Sequence, residues 1–245
     1  LGCALACKKE KAKEIVYVSA GEGTTSQGDY HEALNWASLA KAPVVFHIQD
    51  NEYAISTHKS EQSSNSVYAM ASGYKNLARF EVDGTDFFET NLAFKQAVER
   101  GRRGKGPSLV VSNVVRLMSH SSSDDQRKYR SITSLNKDKN RDPISILKNQ
   151  CLKENFISLN ELNEIETNVD KQVNLDSDWA EAKDHPEANT ALDYIYDNKI
   201  YNYETNFNSI SDKIVMVDAI NHALNEEMQR NNKMVIYGQD VSDPK

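Results

Sequence analysis

Gly21-Glu22-Gly23 sets one carboxylate between two glycines, and Gln49-Asp50-Asn51 sets an acid beside an amide further along the chain. Glycines at the end of a strand let backbone come close to a bulky anion, and the N-terminus of a following helix favours its negative charge. A carboxylate is badly placed against phosphate, but carboxylate and amide oxygens are both hard ligands. Mg²⁺ takes one or two carboxylates, some neutral oxygens and the phosphates of its own ligand. Glu22 and Asn51 are therefore candidate ligands of a cation that in turn holds a diphosphate. Rival readings of the glycines fail on spacing. Gly21, Gly23 and Gly28 give G-x-G-x-x-x-x-G, unlike the dinucleotide fingerprint, and no Gly-Lys-Ser/Thr occurs. By itself the stretch also reads as a plain strand-to-helix connection, and Asn51 as an Asx-turn residue.

For Glu22 and Asn51 to meet, the elements around them must bring two distant loops together. "EIVYVSA" is β-branched and aromatic and reads as a strand. "DYHEALNWASLAKA" has helical spacing, with Asp29 as its N-cap and Pro43 at its exit. "PVVFHIQD" is a nearly continuous apolar run of the kind buried in a parallel sheet. A helix up to Gly73, a strand at "ARFEVDG", a helix closed by glycines at "DFFETNLAFKQAVERGRRGKG" and a strand at "PSLVVSNVVR" follow. Strands alternate with helices over residues 15–116, which predicts an α/β fold, a mostly parallel sheet with flanking helices. In such a sheet the strand C-termini share one side, where ligands bind. Residues 1–14 read as the end of a helix. "MSHSSSDDQRKYRSITSLNKDKNRD" is polar and aperiodic and reads as a mobile loop. Residues 143–183 read as helical and acidic, and 184–212 as a polar, Asn-rich arm or linker. From Lys213 an amphipathic helix leads into a strand at "VIYGQDV".

The bulk properties exclude several classes. A net charge of −7 argues against a general nucleic-acid surface. No apolar run approaches the ~20 residues of a membrane span. The apolar start "LGCALAC" is short, with its lysines after it, so it is not a secretory signal. The chain lacks an initiator Met and reads as beginning inside a longer protein. Cys3, Cys7 and Cys151 are odd and sparse, which fits reduced thiols in a cytoplasmic protein. Cys3 and Cys7 read as buried helical packing. His31, His47, His58, His185 and His222 are scattered and read as structural.

At "GEGTTSQGDYHEALNWA" and "QDNEYAISTHKSEQ" the chain resembles the thiamine-diphosphate-dependent decarboxylating component of the 2-oxo acid dehydrogenase complexes, alpha-subunit type. That family's thiamine motif is Gly-Asp/Glu-Gly and, roughly thirty residues on, Asn. "NEYAIST" with "SEQ" after it is more similar to the branched-chain 2-oxo acid (2-oxoisovalerate) members than to pyruvate-specific ones. "VVRLMSHSSSDDQRKYRS" resembles the family's loop around the diphosphate, and "HPEANTALDYIYD" the end of its alpha subunit. Residues 214–245 resemble the start of a beta subunit, as in a single-chain fusion. The resemblance divides the chain into 1–142, a thiamine-diphosphate-binding alpha-like domain lacking its N-terminal part; 143–212, a helical extension and linker; and 213–245, the truncated start of a beta-like pyrimidine-binding domain.

The resemblance implies oxidative decarboxylation of a branched-chain 2-oxo acid, with the acyl group passed to the lipoyl group of a partner dihydrolipoyl acyltransferase. It implies thiamine diphosphate and Mg²⁺, a beta-like remainder of the same chain, a homo-oligomer, and no activity from this piece alone. Glu22 and Asn51 match the side-chain Mg²⁺ ligands, and Tyr53 the ligand acting through its backbone carbonyl. Gly21 and Gly23 match the tight turn. Arg116 and His120 match the basic pair facing the diphosphate and the reacting carbon, with His120 the catalytic candidate. Asp124, Asp125, Tyr129 and Arg130 match the ordered loop beside them, and Ser121 and Ser131 the serines phosphorylated in animal enzymes. Gln49 stands where a diphosphate-binding Arg can occur, and Ser119 replaces a His next to His120. Alternatives are a pyruvate- or acetoin-type or transketolase-like thiamine enzyme, or a non-catalytic assembly module.

Overall fold

In the computed structural model, residues 1–196, 213–238 and 241 are described. They fall into two compact units, Leu1–Glu181 and Ala182–Lys245. The first unit is built on a four-stranded parallel sheet of β1 (Val16–Gly21), β2 (Val44–Asp50), β5 (Ala78–Asp83) and β6 (Ser108–Asn113), in the order β1-β2-β6-β5. A two-stranded antiparallel hairpin, β3 (Tyr53–Ala54) with β4 (Thr57–His58), follows β2 directly.

The continuous apolar runs of β2 and β6 are explained by burial on both faces. Successive side chains point to opposite sides of a sheet. Val44, Phe46 and Ile48 with Leu109 and Val111 form one core with Ala4 of α1 (Gly2–Lys9) and Leu34 and Ala37 of α2 (Gly28–Ala40). Val45, Val82 and Val110 form the other with Ala93 and Ala97 of α5 (Phe87–Arg102). Between the two helices, α3 (Lys59–Gln62) and α4 (Val67–Met70) lead up to β5. Asp86 caps α5, its carboxylate accepting from the N–H groups of Phe88 at 2.8 Å and Glu89 at 3.0 Å.

Several expectations shift in the structure. Helix α2 starts at Gly28, before Asp29, because the Gln27 N–H closes the preceding turn on Thr24 O at 3.1 Å and hands the chain straight to the helix. Cys3 is exposed and Cys7 only half-buried, since α1 turns Ala4 into the core instead, with Leu1 and Leu5 packed alongside. The supposed loop before residue 143 contains α6 (Ile132–Lys139), capped by Ser131 Oγ, which accepts from the Ser134 N–H at 3.1 Å. The acidic helical region resolves into α7 (Pro143–Lys153) and α8 (Leu159–Glu181). In the second unit α9 (Met216–Arg230) is the amphipathic helix expected there. Met234 to Tyr237 form no strand, because a strand needs a ladder partner and none of the described residues supplies one. The remainder of that predicted strand, Gln239 and Asp240, and residues 197–212 of the predicted arm lie outside the described residues. Among the described residues no helix is long and apolar enough to cross a membrane.

Asp86→Ala removes both capping bonds of the helix that covers one sheet face. We predict a loss of about 1 kcal/mol in denaturant unfolding. An unchanged midpoint would show that α5 is held by packing alone.

Candidate functional site

Parallel pairing of β1 with β2 puts Gly21 opposite Gln49. Glu22 and Asp50-Asn51 therefore leave the sheet at the same edge. After β1 the chain enters a 3₁₀ turn, Glu22–Ser26, closed by Thr25 Oγ1 donating to Glu22 O at 2.6 Å. The Gln62 amide from α3 donates to Gly23 O at 2.9 Å and to Ser26 Oγ at 2.7 Å. A Cβ on Gly23 would lie 2.8 Å from Ala54 Cβ, so this glycine allows the turn to pack on β3. Gly21 has nothing within 4 Å of its Cβ position, and its backbone edge is open.

Glu22 is only 5 % exposed, and its Oε1 is buried without a hydrogen-bond partner. Burial raises its pKa above the ordinary value and the nearby Asp50 charge adds to this, while backbone N–H groups of Glu22 and Asn51 and the Lys59 charge oppose it. Glu22 follows the end of β1 directly and Asn51 the end of β2, so the two leave the sheet at the same side.

Asp50 is equally buried. Its Oδ1 accepts from the Glu52 N–H at 2.9 Å, and its Oδ2 from Lys59 Nζ at 3.0 Å. Asn51 Oδ1 accepts from the Tyr53 N–H at 3.0 Å, the Asx turn that was the alternative reading of this residue. An amide oxygen has two lone pairs, so this bond leaves one acceptor position for a cation. The two successive side-chain turns bend the chain through Glu52 (φ 71°), and the hairpin tip falls on Ile55 (φ 58°). Left-handed backbone at a β-branched residue is strained and has to be held by its surroundings.

Arg116 supplies that hold. Its Nη1 donates to Ile55 O at 2.7 Å, and its Nη2 to the Tyr129 hydroxyl at 2.6 Å. Tyr129 in turn donates to Asp124 Oδ2 at 2.7 Å, which also accepts from the His120 N–H at 2.9 Å. Bonds from Tyr129 and from the His120 backbone hold the Asp124 carboxyl below the usual range. Tyr53 lies at the centre, its ring 5.0 Å from His58, 5.9 Å from Tyr129, and under the guanidinium groups of Arg130 at 5.0 Å and Arg116 at 5.4 Å.

The structure connects Glu22, Asn51, Tyr53 and Arg116 at one edge of the sheet. His120 joins them through its backbone, while its ring is exposed. Gln49 is exposed, and Ser119 Oγ accepts from the Gln126 N–H at 3.4 Å. Sequence reasoning missed Asp50 and Lys59 as a pair, and gave His58 no part. All three line a cleft of about 210 Å³ with Glu22. An acid and a lysine nine positions apart across a turn-rich stretch were the available signal. Arg130 was read as a loop residue but is buried, donating to Arg116 O and Gln126 Oε1, both at 3.0 Å, and paired with Asp138 of α6. It fastens the segment taken for a mobile loop. His47 is structural, as expected, hydrogen-bonded between the Tyr17 hydroxyl at 2.7 Å and Ser112 Oγ at 3.0 Å.

Residues 1–189 match the family described as Dehydrogenase E1 component. The chain belongs to that family. The 2-oxoisovalerate dehydrogenase subunit alpha of Bacillus subtilis (strain 168) is 36 % identical over 201 residues, covering 80 % of this chain and 59 % of that protein. The pyruvate dehydrogenase E1 component subunit alpha of Acholeplasma laidlawii is 33 % identical over 174 residues, covering 71 % and 50 %. A crystal structure of transketolase from Campylobacter jejuni subsp. jejuni NCTC 11168 aligns with 46 % of this chain and 18 % of its own, at 22 % identity and a TM-score of 0.40. The chain thus spans half to three-fifths of the length of these two dehydrogenase subunits. Among the described residues no three His, Cys, Asp or Glu side chains form a metal-ligand cluster.

Two outcomes follow from this geometry. Because burial raises the Glu22 pKa in the folded state, ionising it costs stability as pH rises from its ordinary 4.5 through the raised value. Glu22→Gln should make the metal-free protein more stable than wild type at pH 7, with the advantage gone at pH 4. Denaturant titrations at the two pH values check this, and equal stability at pH 7 would contradict it. Arg130→Met strands Asp138 and frees the segment after Arg116. We expect a loss of about 3 kcal/mol and faster tryptic cleavage at Arg127 and Lys128.

Proposed function

We propose that this chain is the alpha-subunit-like part of a branched-chain 2-oxo acid dehydrogenase dependent on thiamine diphosphate and Mg²⁺. The observation that carries this reading is the buried, unpartnered Glu22 Oε1, set beside Asn51 at the strand ends of a dehydrogenase E1 component. An orphaned carboxylate oxygen in a cleft fits a cation that completes its coordination. Glu22 Oε1, Asn51 Oδ1 and the Tyr53 carbonyl would hold Mg²⁺. Thiamine diphosphate, when bound, supplies the carbon nucleophile and electron sink for decarboxylation. The open Gly21 edge would admit the diphosphate end. Arg116 fixes the hairpin that carries Tyr53, and His120 presents an exposed imidazole able to donate or accept a proton. We assign residues 1–142 to the cofactor domain, 143–212 to an extension and linker, and 213–245 to the start of a beta-like domain. A lipoyl-bearing acyltransferase is the partner this chemistry requires, and three free thiols fit a cytoplasmic setting. The pyruvate dehydrogenase relative supports a second reading, with pyruvate as substrate.

The test uses the full-length protein with its beta-like portion. Asn51→Ala should weaken thiamine diphosphate binding in calorimetry by at least the roughly 10–100-fold typical of a disturbed metal shell, with partial recovery in excess Mg²⁺. Unaltered affinity would remove Asn51 from the site. Lipoamide-linked turnover should favour 2-oxoisovalerate over pyruvate, and the reverse order would select the second reading.

A further inference from the structure

Two carboxylates meet one lysine, and a third, Glu22, lines the cleft that Asp50 and Lys59 share. Lys59 Nζ is 3.0 Å from Asp50 Oδ2 and 3.6 Å from Glu52 Oε1. Asp50 is 5 % exposed at its side chain and has both oxygens engaged, one by this ammonium and one by the Glu52 N–H. Glu22 lines the same cleft, and its Oε1 is the buried oxygen left without a partner. Lys59 thus pairs with one of the two buried acids at the strand ends, Asp50, and forms no ion pair with Glu22. It bonds Asp50, while Glu22 feels only its charge and keeps Oε1 without a hydrogen-bond partner.

That division bears on how a divalent cation enters. A cluster of carboxylates without internal compensation binds a divalent cation directly, since the like charges repel each other strongly in a half-desolvated site. A fixed ammonium lowers that pull and also repels the incoming metal. Phosphate oxygens brought in with the metal restore the attraction. We propose that Lys59 is a specificity-determining residue of this site: it withholds Asp50 from the metal and makes cation uptake depend on a diphosphate arriving with it. The proposal rests on the reading of the Glu22 cleft as the metal site.

The chain itself gives the lysine a defined place for this. Its backbone N–H donates to Glu52 O at 2.9 Å, and it opens α3, the helix whose Gln62 holds the Glu22 turn. Lys59 is only half-buried, so a change at its ammonium need not disturb the core.

The experiment counts Mn²⁺ bound to the full-length protein by its electron paramagnetic resonance signal, with and without thiamine diphosphate. Wild type should take up Mn²⁺ tightly only with the diphosphate present. Lys59→Met keeps the stem and removes the charge, and it should bind Mn²⁺ without diphosphate about tenfold or more tighter than wild type. Lys59→Arg should behave as wild type. Adding Asp50→Asn to Lys59→Met should abolish the gain. If Lys59→Met without diphosphate stays within about twofold of wild type while diphosphate still recruits Mn²⁺, the proposal falls and the metal site stands. If neither protein takes up Mn²⁺ even with diphosphate, the metal reading fails and the proposal with it. A gain that survives Asp50→Asn would also overturn it, because Asp50 would then not be the withheld ligand.

Discussion

A carboxylate oxygen held out of water without a partner is the interaction on which this end of the molecule depends. Glu22 stays buried because its neighbours leave it nowhere else to go. Thr25 closes the turn from below, Gln62 ties it from α3, and Gly23 packs its backbone against Ala54. Each contact is local, but together they fix a charge where solvent would otherwise relieve it. An uncompensated group of this kind is costly in a protein that gains nothing from it. Glu22 lies just past a strand C-terminus, the side of an α/β sheet where ligands bind.

The same logic extends outward from Glu22. The hairpin after β2 carries positive φ at Glu52 and Ile55, and it keeps that shape because side chains brace it at both ends. Asp50 and Asn51 fold its entry through their own backbone bonds, and Arg116 holds its tip by the Ile55 carbonyl. Arg130 then supports Arg116 from beneath while its guanidinium lies over Tyr53. Two arginines and two tyrosines thus form one packed unit of cation–π and hydrogen-bond contacts. The loop from Met118 to Ser131 is attached to the site through this unit, so disturbing Arg130 reaches Tyr53 without touching it.

Outside the site the structure leaves apolar surface uncovered. β1 is an edge strand with Tyr17 and Val18 exposed, and α8 presents Ile165, Val169 and Val173 at helical spacing. In the second unit α9 presents Val217, Ile220 and Leu224 in the same way. Amphipathic helices form because one stripe is apolar, and that stripe is stable in water only when something covers it.

The sequence by itself determined the alternation of strands and helices, the parallel sheet, and the loops at which Glu22 and Asn51 would meet. Those features follow from local periodicity and from the side-chain alternation of buried strands, which neighbouring residues encode. The Gly21-to-Asn51 pattern was legible only as a resemblance to a family motif, because periodicity alone reads it as a plain strand-to-helix connection. Only the tertiary structure decided which acid remained free. Asp50 and Glu22 look alike along the chain, and the difference arises because Lys59 folds back onto one of them. Aperiodic polar residues likewise concealed α6 and the burial of Arg130, because their order comes from contacts with Asp138 and Tyr53 and not from any repeating pattern. Charge pairing and burial depend on distances between segments, and those distances exist only once the chain has folded.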